Sequence, residues 1–553
     1  MYDKNENVFQ KLWRFLRTYI LTVPRFDLFL QGALLILILL DHNVYILLKR
    51  DADAGYHPQL VQDWVFLGAS GAEFVFGVFI AWTGRKQRHL ALSCWLALTA
   101  ASALLVLAFP FSGEVYRDVG TCGNDVTQYP DTDPNIIPRT ILLIITAICC
   151  CLTKISIWSH GLTYLDDHEP QNGPYFYGIL ISIRLSLGLS GQTWLIPGGY
   201  RDDWWEAHLS LAMLTLMFAV LFTLFPKQMP NYEPPDLKED DGFLPSVYRV
   251  LCNKAVLLQI GALAFLNIGL FCFVDYNQAF IQARFHLETL RADPRTPTLA
   301  TSIFRPMVII FFIMIFRIRF SVRRLDGVKA NTAARVGGVV ALFAAVCLGV
   351  LAVLDCGVQD VRGTGDVYTQ PGCSQRCGCN SELYGFAPVC DMDTSTTYFS
   401  PCHAGCSISE EYGGLTFFSN CTCVQTAYRG ACSVMSCQGT YGIYQAIFTI
   451  TLAIAGSSFL MQDMVLLRAV HHHDKAVSVG VGFAIIALLS HVLGHLLYMF
   501  ISDQTCLYKH DGACLLHQPS IRWMPIISAI MAVLSAIVSL IASRVAYSVD
   551  ELH

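Results

Sequence analysis

Cysteines are crowded into one segment of this sequence, and their thiols can form disulfides or bind a metal. Of the 21 cysteines, eleven fall between Cys356 and Cys437. In an oxidising compartment they would form disulfides, and a loop of about 85 residues with few aliphatic side chains needs cross-links in place of a core. The predicted disulfide cysteines are Cys356, Cys373, Cys377, Cys379, Cys390, Cys402, Cys406, Cys421, Cys423, Cys432, Cys437, Cys506 and Cys514.

The pairing of these cysteines stays open, because spacing alone does not fix connectivity. Adding Cys122 makes fourteen, an even number that permits complete pairing, and Cys506 with Cys514 is the most local choice. Dense cysteines also suggest zinc, but irregular spacing and an extracellular location argue against it, and no metal is expected. Asn420-Cys421-Thr422 is a glycosylation sequon, whether occupied or not, and makes Asn420 the predicted acceptor.

Charged side chains inside apolar stretches form the second set. A charge at membrane depth costs at least about 2.5–3.5 kcal/mol, so such residues usually face a cavity or one another. A cationic cavity would attract an amphipathic anion, and Arg binds carboxylate or sulfate through two parallel hydrogen bonds. The candidates for a substrate pathway are Glu73, Lys154, Arg184, Arg305, His491 and His495, with Asp41 and His42 also inside a stretch.

Each of these candidates has a plainer interpretation. Lys154 and Arg305 lie close enough to the ends of their stretches for their side chains to reach lipid headgroups. Arg184 lies nearer the middle, where it lines the cavity or pairs internally with Glu73 or Asp41.

His491 and His495 share a helix face and could make uptake depend on pH, or they are hydrogen-bonded packing residues. His471, His472 and His473 resemble a metal tract, but they occupy a short turn between apolar stretches, and we expect a solvated loop.

We expect the charged candidates to lie on membrane helices. The 553 residues are 54% hydrophobic and only 14% charged, with a mean hydropathy of +0.47, which excludes an ordinary soluble enzyme. The net charge of −5 gives no indication of nucleic-acid binding. Stretches of about 20 apolar residues span a bilayer as helices. Twelve qualify, at about 27–48, 60–83, 89–110, 137–160, 175–197, 206–226, 254–275, 298–317, 333–354, 441–463, 477–501 and 522–546.

The distribution of Lys and Arg in the loops predicts that both termini are cytoplasmic. Basic residues concentrate in the N-terminal segment and in the loops after the second and eighth stretches. The N-terminal segment lacks a cleavage site after a short apolar core, so we expect the first helix to act as signal anchor.

An even number of helices, with a polar stretch in the middle, predicts an all-α polytopic protein of two six-helix halves, as in the major facilitator architecture. The expected parts are a cytoplasmic segment 1–26, an N-terminal half 27–226, a cytoplasmic linker 227–253, helices seven to nine at 254–354, a disulfide-rich extracellular loop 355–440, helices ten to twelve at 441–546 and a cytoplasmic tail 547–553.

Several motifs along the chain resemble the organic anion transporting polypeptides. Tyr398-Phe399-Ser400-Pro401-Cys402-His403-Ala404-Gly405-Cys406 is similar to the Kazal-type loop that this family carries between its ninth and tenth helices. The same order of motifs continues in Gly161-Leu162-Thr163-Tyr164-Leu165-Asp166-Asp167, Phe225-Pro226-Lys227, Arg468 with Asp474-Lys475, and Cys506-Leu507-Tyr508. The resemblance covers nearly the whole membrane region and identifies a divergent member.

Two departures from the family pattern bear on specificity. The tryptophan-rich signature before the sixth helix is reduced here to Arg201-Asp202-Asp203-Trp204-Trp205-Glu206-Ala207-His208. The eleventh stretch has His491 and His495 where the family usually has an Arg and a proline-rich turn. Loss of this Arg points toward neutral steroid-like or weakly anionic ligands.

The resemblance implies a plasma-membrane carrier rather than an enzyme. The expected activity is sodium-independent secondary transport of large amphipathic organic anions and steroid- or hormone-like compounds by alternating access. No cofactor is expected, and the partners are the small-molecule substrate and the lipid bilayer. The alternative is a non-transporting receptor or adhesion protein that acts through its extracellular Kazal-like domain.

Overall fold

A computed structural model describes the helices and the cysteine-rich region of the chain. The described residues are 21–53, 60–111, 120–123, 134–187, 204–229, 242–286, 304–321, 329–357, 361–364, 368–379, 386–412, 415–432, 434–510 and 513–550. The long helices are α1 Val23–Asp53, α2 Val61–Thr83, α3 Arg88–Val106, α4 Ile136–His168, α5 Gly173–Leu187, α6 Trp204–Thr223, α7 Lys254–Asp275, α8 Arg305–Ser321, α9 Ala330–Val353, α10 Val434–Arg468, α11 His472–Gln504 and α12 Trp523–Asp550.

Each predicted apolar stretch coincides with one of these helices. Among the described residues, ten helices are long and apolar enough to cross a membrane; α5 and α8 are the shorter two. Two parts of the predicted stretches lie outside the described residues: 188–197 of the fifth stretch and 298–303 of the eighth. Two short helices, Phe243–Cys252 and Asn277–Phe285, flank α7.

Apolar side chains cover the outside of the helix bundle, while charged ones lie within it. Val75 and Phe79 of α2 are 63% and 55% exposed, whereas Glu73 of the same helix is fully buried. Val346 of α9 is likewise exposed. This is the reverse of a water-soluble protein and is the surface that a lipid environment requires. The chain is therefore a multi-pass helical membrane protein.

Helices α2 and α11 approach closely because small residues face each other. A Cβ atom on Gly480 would lie 2.4 Å from the Cβ of Ala81 and 3.2 Å from the carbonyl oxygen of Gly77. Glycines at such a contact let two helix backbones come together in a membrane. This contact joins α1–α6 to α7–α12.

Three of the helices contain a π-helical segment. These segments are Ile157–Leu162 in α4, Ile268–Cys272 in α7 and Ala487–Gly494 in α11. A π-segment adds a residue to the helical turn, shifts the side chains that follow, and occurs often at functional sites. Here the wider turns reposition side chains where α4, α7 and α11 surround a common space.

The region between α9 and α10 forms a small sheet with little apolar core. Its five antiparallel strands are β1 Val389–Asp391, β2 Thr396–Tyr398, β3 Cys406–Tyr412, β4 Leu415–Cys421 and β5 Ala427–Arg429, in the order β2-β1-β5-β4-β3. A separate hairpin, β6 Cys506–His510 with β7 Ala513–His517, joins α11 to α12. We call the sheet and its disulfides the cysteine-rich domain.

All fourteen of the predicted extracellular cysteines are paired in the structure. Four bridges lie inside the cysteine-rich domain, and Cys356–Cys437 closes the base of the domain between α9 and α10. The inner four are Cys373–Cys423, Cys379–Cys402, Cys390–Cys432 and Cys406–Cys421. Cys506 pairs with Cys514 across the β6–β7 hairpin.

The remaining bridge, Cys122–Cys377, connects the cysteine-rich domain to the segment between α3 and α4. The backbone N–H of Cys122 also donates to the carbonyl oxygen of Cys406 at 2.6 Å. On the other side, Tyr368 and Phe399 of the domain pack against Tyr508 of the hairpin, with ring centroids 4.7 and 5.5 Å from that of Tyr508. The domain is thus packed on the C-terminal helices and cross-linked to the N-terminal ones.

Candidate functional site

A cavity inside the bundle is lined by helices from both ends of the chain. Helices α4 and α5 contribute one wall, and α7, α10 and α11 contribute the other. Each of the three π-segments supplies a lining residue: Trp158, Phe271 and His491. The polar lining residues are Tyr177, Arg184, Asn267, Asp463 and His491, and the aromatic ones are Trp158, Phe271, Phe459 and Phe483.

Arg184 of α5 faces this cavity, as one interpretation of the sequence expected. Its guanidinium lies over the Phe271 ring, with Cζ 4.5 Å from the centroid. The acidic groups that act on it are Glu73 and Asp463, but neither lies within ion-pair distance of Arg184 among the described contacts. A guanidinium held by an aromatic face keeps its N–H donors available for a carboxylate or sulfate.

Asp463 of α10 is a cavity residue that the sequence analysis missed. It faces the Tyr177 hydroxyl, and it borders the same space as Arg184. The apolar run was taken to end at residue 463, whereas the helix continues to Arg468. The signal that could have found Asp463 is the apolar sequence Met464-Val465-Leu466-Leu467 after it, which places the carboxylate within the span rather than at its end.

Glu73, Lys154 and His491 meet beside the cavity. Lys154 Nζ lies 3.4 Å from Glu73 Oε2, and His491 Nδ1 lies 3.6 Å from the same oxygen. Lys154 therefore contacts a buried carboxylate instead of extending to a headgroup. Glu73 Oε1 and the neighbouring Asp41 Oδ1 are buried, and neither has a hydrogen-bond partner among the described residues.

His495 lies one turn beyond His491 and contacts different acidic groups. Its Nε2 is 3.1 Å from Asp63 Oδ1 of α2, and its Nδ1 is 3.9 Å from Asp275 Oδ2 of α7. The two histidines share a helix face, as predicted from their spacing, but each one contacts its own carboxylates. They therefore link α11 to α2 at two heights in the bundle.

Arg305 lies apart from this cluster. At the start of α8, its Nη2 donates to Gln445 Oε1 at 2.6 Å and its Nε to Thr449 Oγ1 at 3.3 Å, both on α10. It also lies over the Phe448 ring, and it does not line the cavity described here. Its contacts are those of a residue that joins α8 to α10.

A dense group of charges connects α3 and α4 with α10 and α11 at the end of the bundle away from the cysteine-rich domain. Arg468 Nη2 donates to Asp166 Oδ1 at 2.7 Å, and Lys475 Nζ lies 2.6 Å from Asp166 Oδ2. Asp167 is in contact with Arg88 and lies 3.2 Å from Lys475 Nζ. We call these residues, with His472, the Asp166 network. It brings together two of the quoted motifs, Gly161–Asp167 and Arg468 with Asp474-Lys475, which are far apart in the chain.

The turn that contains His471, His472 and His473 is part of this network. His472 Nε2 lies 2.9 Å from Asp167 Oδ1, and His473 Nε2 lies 3.6 Å from Asp474 Oδ2. The expectation of a simply solvated loop was therefore wrong for His472. No group of three or more metal-ligating side chains occurs among the residues that the structure describes.

Comparison of the sequence with known proteins identifies the family of this chain. A family model, the Organic Anion Transporter Polypeptide (OATP) family, matches residues 199–519. The chain belongs to the OATP family. The match includes the cysteine-rich domain and α6 to α11.

The similar curated proteins are solute carrier organic anion transporter family members at low identity. Member 74D of Drosophila melanogaster is 23% identical over 70% of this chain and 52% of its own length. Member 2B1 of Mus musculus is 24% identical over 64% of this chain and 62% of its own. Member 2B1 of Homo sapiens is 23% identical over 78% of this chain and 74% of its own length. The chain thus spans about half the length of the Drosophila relative, as a divergent member of the family.

Proposed function

We propose that this chain is a secondary transporter of large amphipathic organic anions, including steroid- or hormone-like compounds. The observation that carries the proposal is the position of Arg184, whose guanidinium has no ion-pair partner among the described residues and lies in a cavity with aromatic walls. A pocket of this kind binds an apolar body loosely and orients it by one charge. The names of the similar proteins, organic anion transporter family members, support the same substrate class.

The mechanism that we propose is alternating access between two six-helix halves, α1–α6 and α7–α12. Two features support it: the cavity has walls from both halves, and the Asp166 network joins the halves at one end of it. Breaking this network would let the halves separate there while the Gly77–Gly480 contact serves as a pivot. Transport in this scheme uses no nucleotide and no sodium.

The substrate pathway in this proposal includes Glu73, Lys154, Arg184, His491 and His495. Arg184 binds the anion, while Glu73 holds Lys154 and His491 in place beside it. Arg305 is proposed to act on the pathway through α10, because it contacts that helix rather than the cavity.

The remaining proposals concern the setting of the protein. All twelve long helices are proposed to cross the plasma membrane, with both termini cytoplasmic and residues 355–440 as a Kazal-like extracellular domain. In this orientation the cysteine-rich domain lies in the oxidising compartment that its disulfides require. Asn420 would then face the compartment in which glycosylation occurs.

Cellular uptake tests the transport proposal. A fluorescent organic anion and a labelled neutral steroid are supplied at pH 5.5 and 7.4, in sodium buffer and with sodium replaced by choline. Saturable uptake that survives sodium removal is expected, and Arg184→Ala should reduce anion uptake at least tenfold. Arg335→Ala, an exposed cation at the start of α9, is the matched control and should leave uptake unchanged. Absence of saturable uptake by a protein shown to be at the cell surface would overturn the proposal.

A further inference from the structure

Arg184 and Asp463 are side chains of opposite charge when both are ionised; they line the same cavity and do not form an ion pair with each other. Among the described residues, Asp463 has no cation within ion-pair distance, and Arg184 has no carboxylate within that distance. Opposite charges buried in a membrane protein usually pair, because each one alone is expensive to bury. Arg184 and Asp463 face a common space without pairing, so a ligand can bind between them.

The other acidic group near Arg184 is already engaged. Glu73 Oε2 lies within 3.6 Å of both Lys154 Nζ and His491 Nδ1. The charges that remain to be matched in the cavity are therefore one guanidinium and one carboxylate. The net charge of these two groups is zero. A ligand with one negative and one positive group therefore neutralises both, whereas a simple anion neutralises only the guanidinium.

Uncharged groups in the lining also favour a ligand with several polar atoms and an aromatic body. The Trp158 Nε1 donor and the Asn267 Oδ1 acceptor are buried without a hydrogen-bond partner among the described residues, and both residues line the cavity. Phe271, Phe459 and Phe483 supply flat apolar walls. Unpaired buried polar atoms are costly, so a ligand that satisfies them gains affinity.

We propose that this cavity selects amphipathic zwitterions, whose anionic group binds Arg184 and whose ammonium group binds Asp463. The inference rests on the proposed transport function and names the substrate class of that same site. Asp463 is then the residue that determines specificity, and Tyr177 positions its carboxylate. A pure anion leaves Asp463 unmatched and should bind less tightly.

Three fluorescent probes that share one dansyl group test this inference. Nε-dansyl-lysine is a zwitterion, 6-(dansylamino)hexanoate lacks only the α-ammonium group, and dansylcadaverine lacks only the carboxylate. Binding to the purified full-length protein in lipid nanodiscs is followed by dansyl fluorescence, and uptake is followed in cells. For the wild-type protein, the dissociation constant of the zwitterion should be at least tenfold lower than that of either other probe.

Variants separate the role of each charge. Asp463→Asn should weaken zwitterion binding about tenfold, to the level of the anion, without weakening binding of the anion. Asp463→Glu should keep the preference for the zwitterion, and Arg184→Gln should weaken binding of both. Asp27→Asn is the matched control, because Asp27 is a buried acid of α1 that contacts Gln31 and lies outside the cavity. This variant should keep the wild-type preference.

The outcomes distinguish this inference from the proposed function. Equal affinity of the wild-type protein for the zwitterion and the anion would overturn the zwitterion selectivity and leave anion transport intact. If Asp463→Asn weakened binding of the zwitterion and of the anion equally, the proposed role of Asp463 would be wrong. If organic anions show saturable uptake but none of the three probes binds, the selectivity alone is wrong. If no anion is taken up either, both proposals fail. The comparison of three probes on the wild-type protein decides the main point even where a variant does not fold.

Discussion

Asp166 and Arg468 are 302 positions apart in the chain, yet Arg468 Nη2 donates to Asp166 Oδ1 at 2.7 Å. Arg468 Nη2 also donates to the carbonyl oxygen of Pro170 at 2.7 Å, so one guanidinium holds the end of α4 against the end of α10. Lys475 of α11 contacts the second oxygen of Asp166. Three helices therefore meet on one buried carboxylate, between the proposed halves α1–α6 and α7–α12.

Removing Asp166 should destabilise the protein more than removing an exposed acid does. Asp166→Asn leaves Arg468 and Lys475 without their shared carboxylate, and breaking a buried ion pair costs about 3–5 kcal/mol. Thermal unfolding of the purified protein measures the change. Asp503→Asn is the control, because its pair with Lys509 is about half exposed and such pairs contribute about 0–1 kcal/mol. Similar melting temperatures for both variants would contradict a structural role for the network.

Glu73 and Lys154 should depend on each other. Glu73→Gln leaves a lysine without its carboxylate inside the membrane, at a cost of about 2.5–3.5 kcal/mol. The double variant Glu73→Gln/Lys154→Met removes both charges and should recover much of the lost stability without recovering uptake. Surface expression and thermal unfolding of the two single variants and the double variant give the coupling energy. Additive losses would show that the 3.4 Å contact contributes nothing.

The Cys122–Cys377 bridge should matter for movement rather than for folding of the cysteine-rich domain. It is the bridge that ties this domain to the segment between α3 and α4, whereas Cys390–Cys432 lies within the domain. Cys122→Ser/Cys377→Ser should reach the cell surface in normal amounts, with an altered uptake rate. Cys390→Ser/Cys432→Ser should lose surface expression, since an internal bridge of this kind contributes about 2–4 kcal/mol. The reverse pattern in surface labelling would contradict this division.

His403 should make the cysteine-rich domain less stable in acid. Burial lowers the pKa of His403 from 6.5 to about 4 in the folded protein, where it lies against Ser400 and the ring of Phe399. Because the unfolded chain takes up the proton first, this stability is present above pH 6.5 and is lost as the pH falls to about 4. The expected loss by pH 5 is about 2 kcal/mol.

Reduction of the domain's disulfides by a phosphine measures this loss, because the bridges react faster when the domain opens. The wild-type rate relative to that of His403→Gln should rise between pH 7.4 and pH 5. A constant ratio would show that His403 does not govern the acid response.

Asn420 should carry the glycan. Its side chain is exposed at the end of β4, where its Nδ2 donates to Ser407 Oγ at 2.6 Å. Asn420→Gln should remove a mass shift that glycosidase treatment also removes from the wild-type protein, as seen by gel mobility. Ser407→Ala, which removes only the neighbouring hydroxyl, should leave the shift in place. Unchanged mobility of Asn420→Gln would leave the sequon unoccupied.

The apolar helices and the clustered disulfides could be predicted from the amino-acid sequence. Both follow from composition over long stretches: about 20 apolar residues form a helix in lipid whatever their neighbours are, and a loop rich in cysteine and poor in aliphatic residues depends on cross-links. Arg184 was also accessible to sequence reasoning, because a charge in the middle of an apolar run has few uses other than a cavity or a partner.

Which side chains contact each other depends on the tertiary packing of the helices. The sequence left Lys154 between a headgroup and the interior, and only the packing of α2 on α4 placed it on Glu73. Asp463 was missed because the end of a helix depends on contacts beyond its apolar run. The pairing of Cys122 with Cys377, 255 positions away, follows from the packing of the cysteine-rich domain over the bundle. Contacts between distant segments arise from the whole fold, and no local pattern in the chain specifies them.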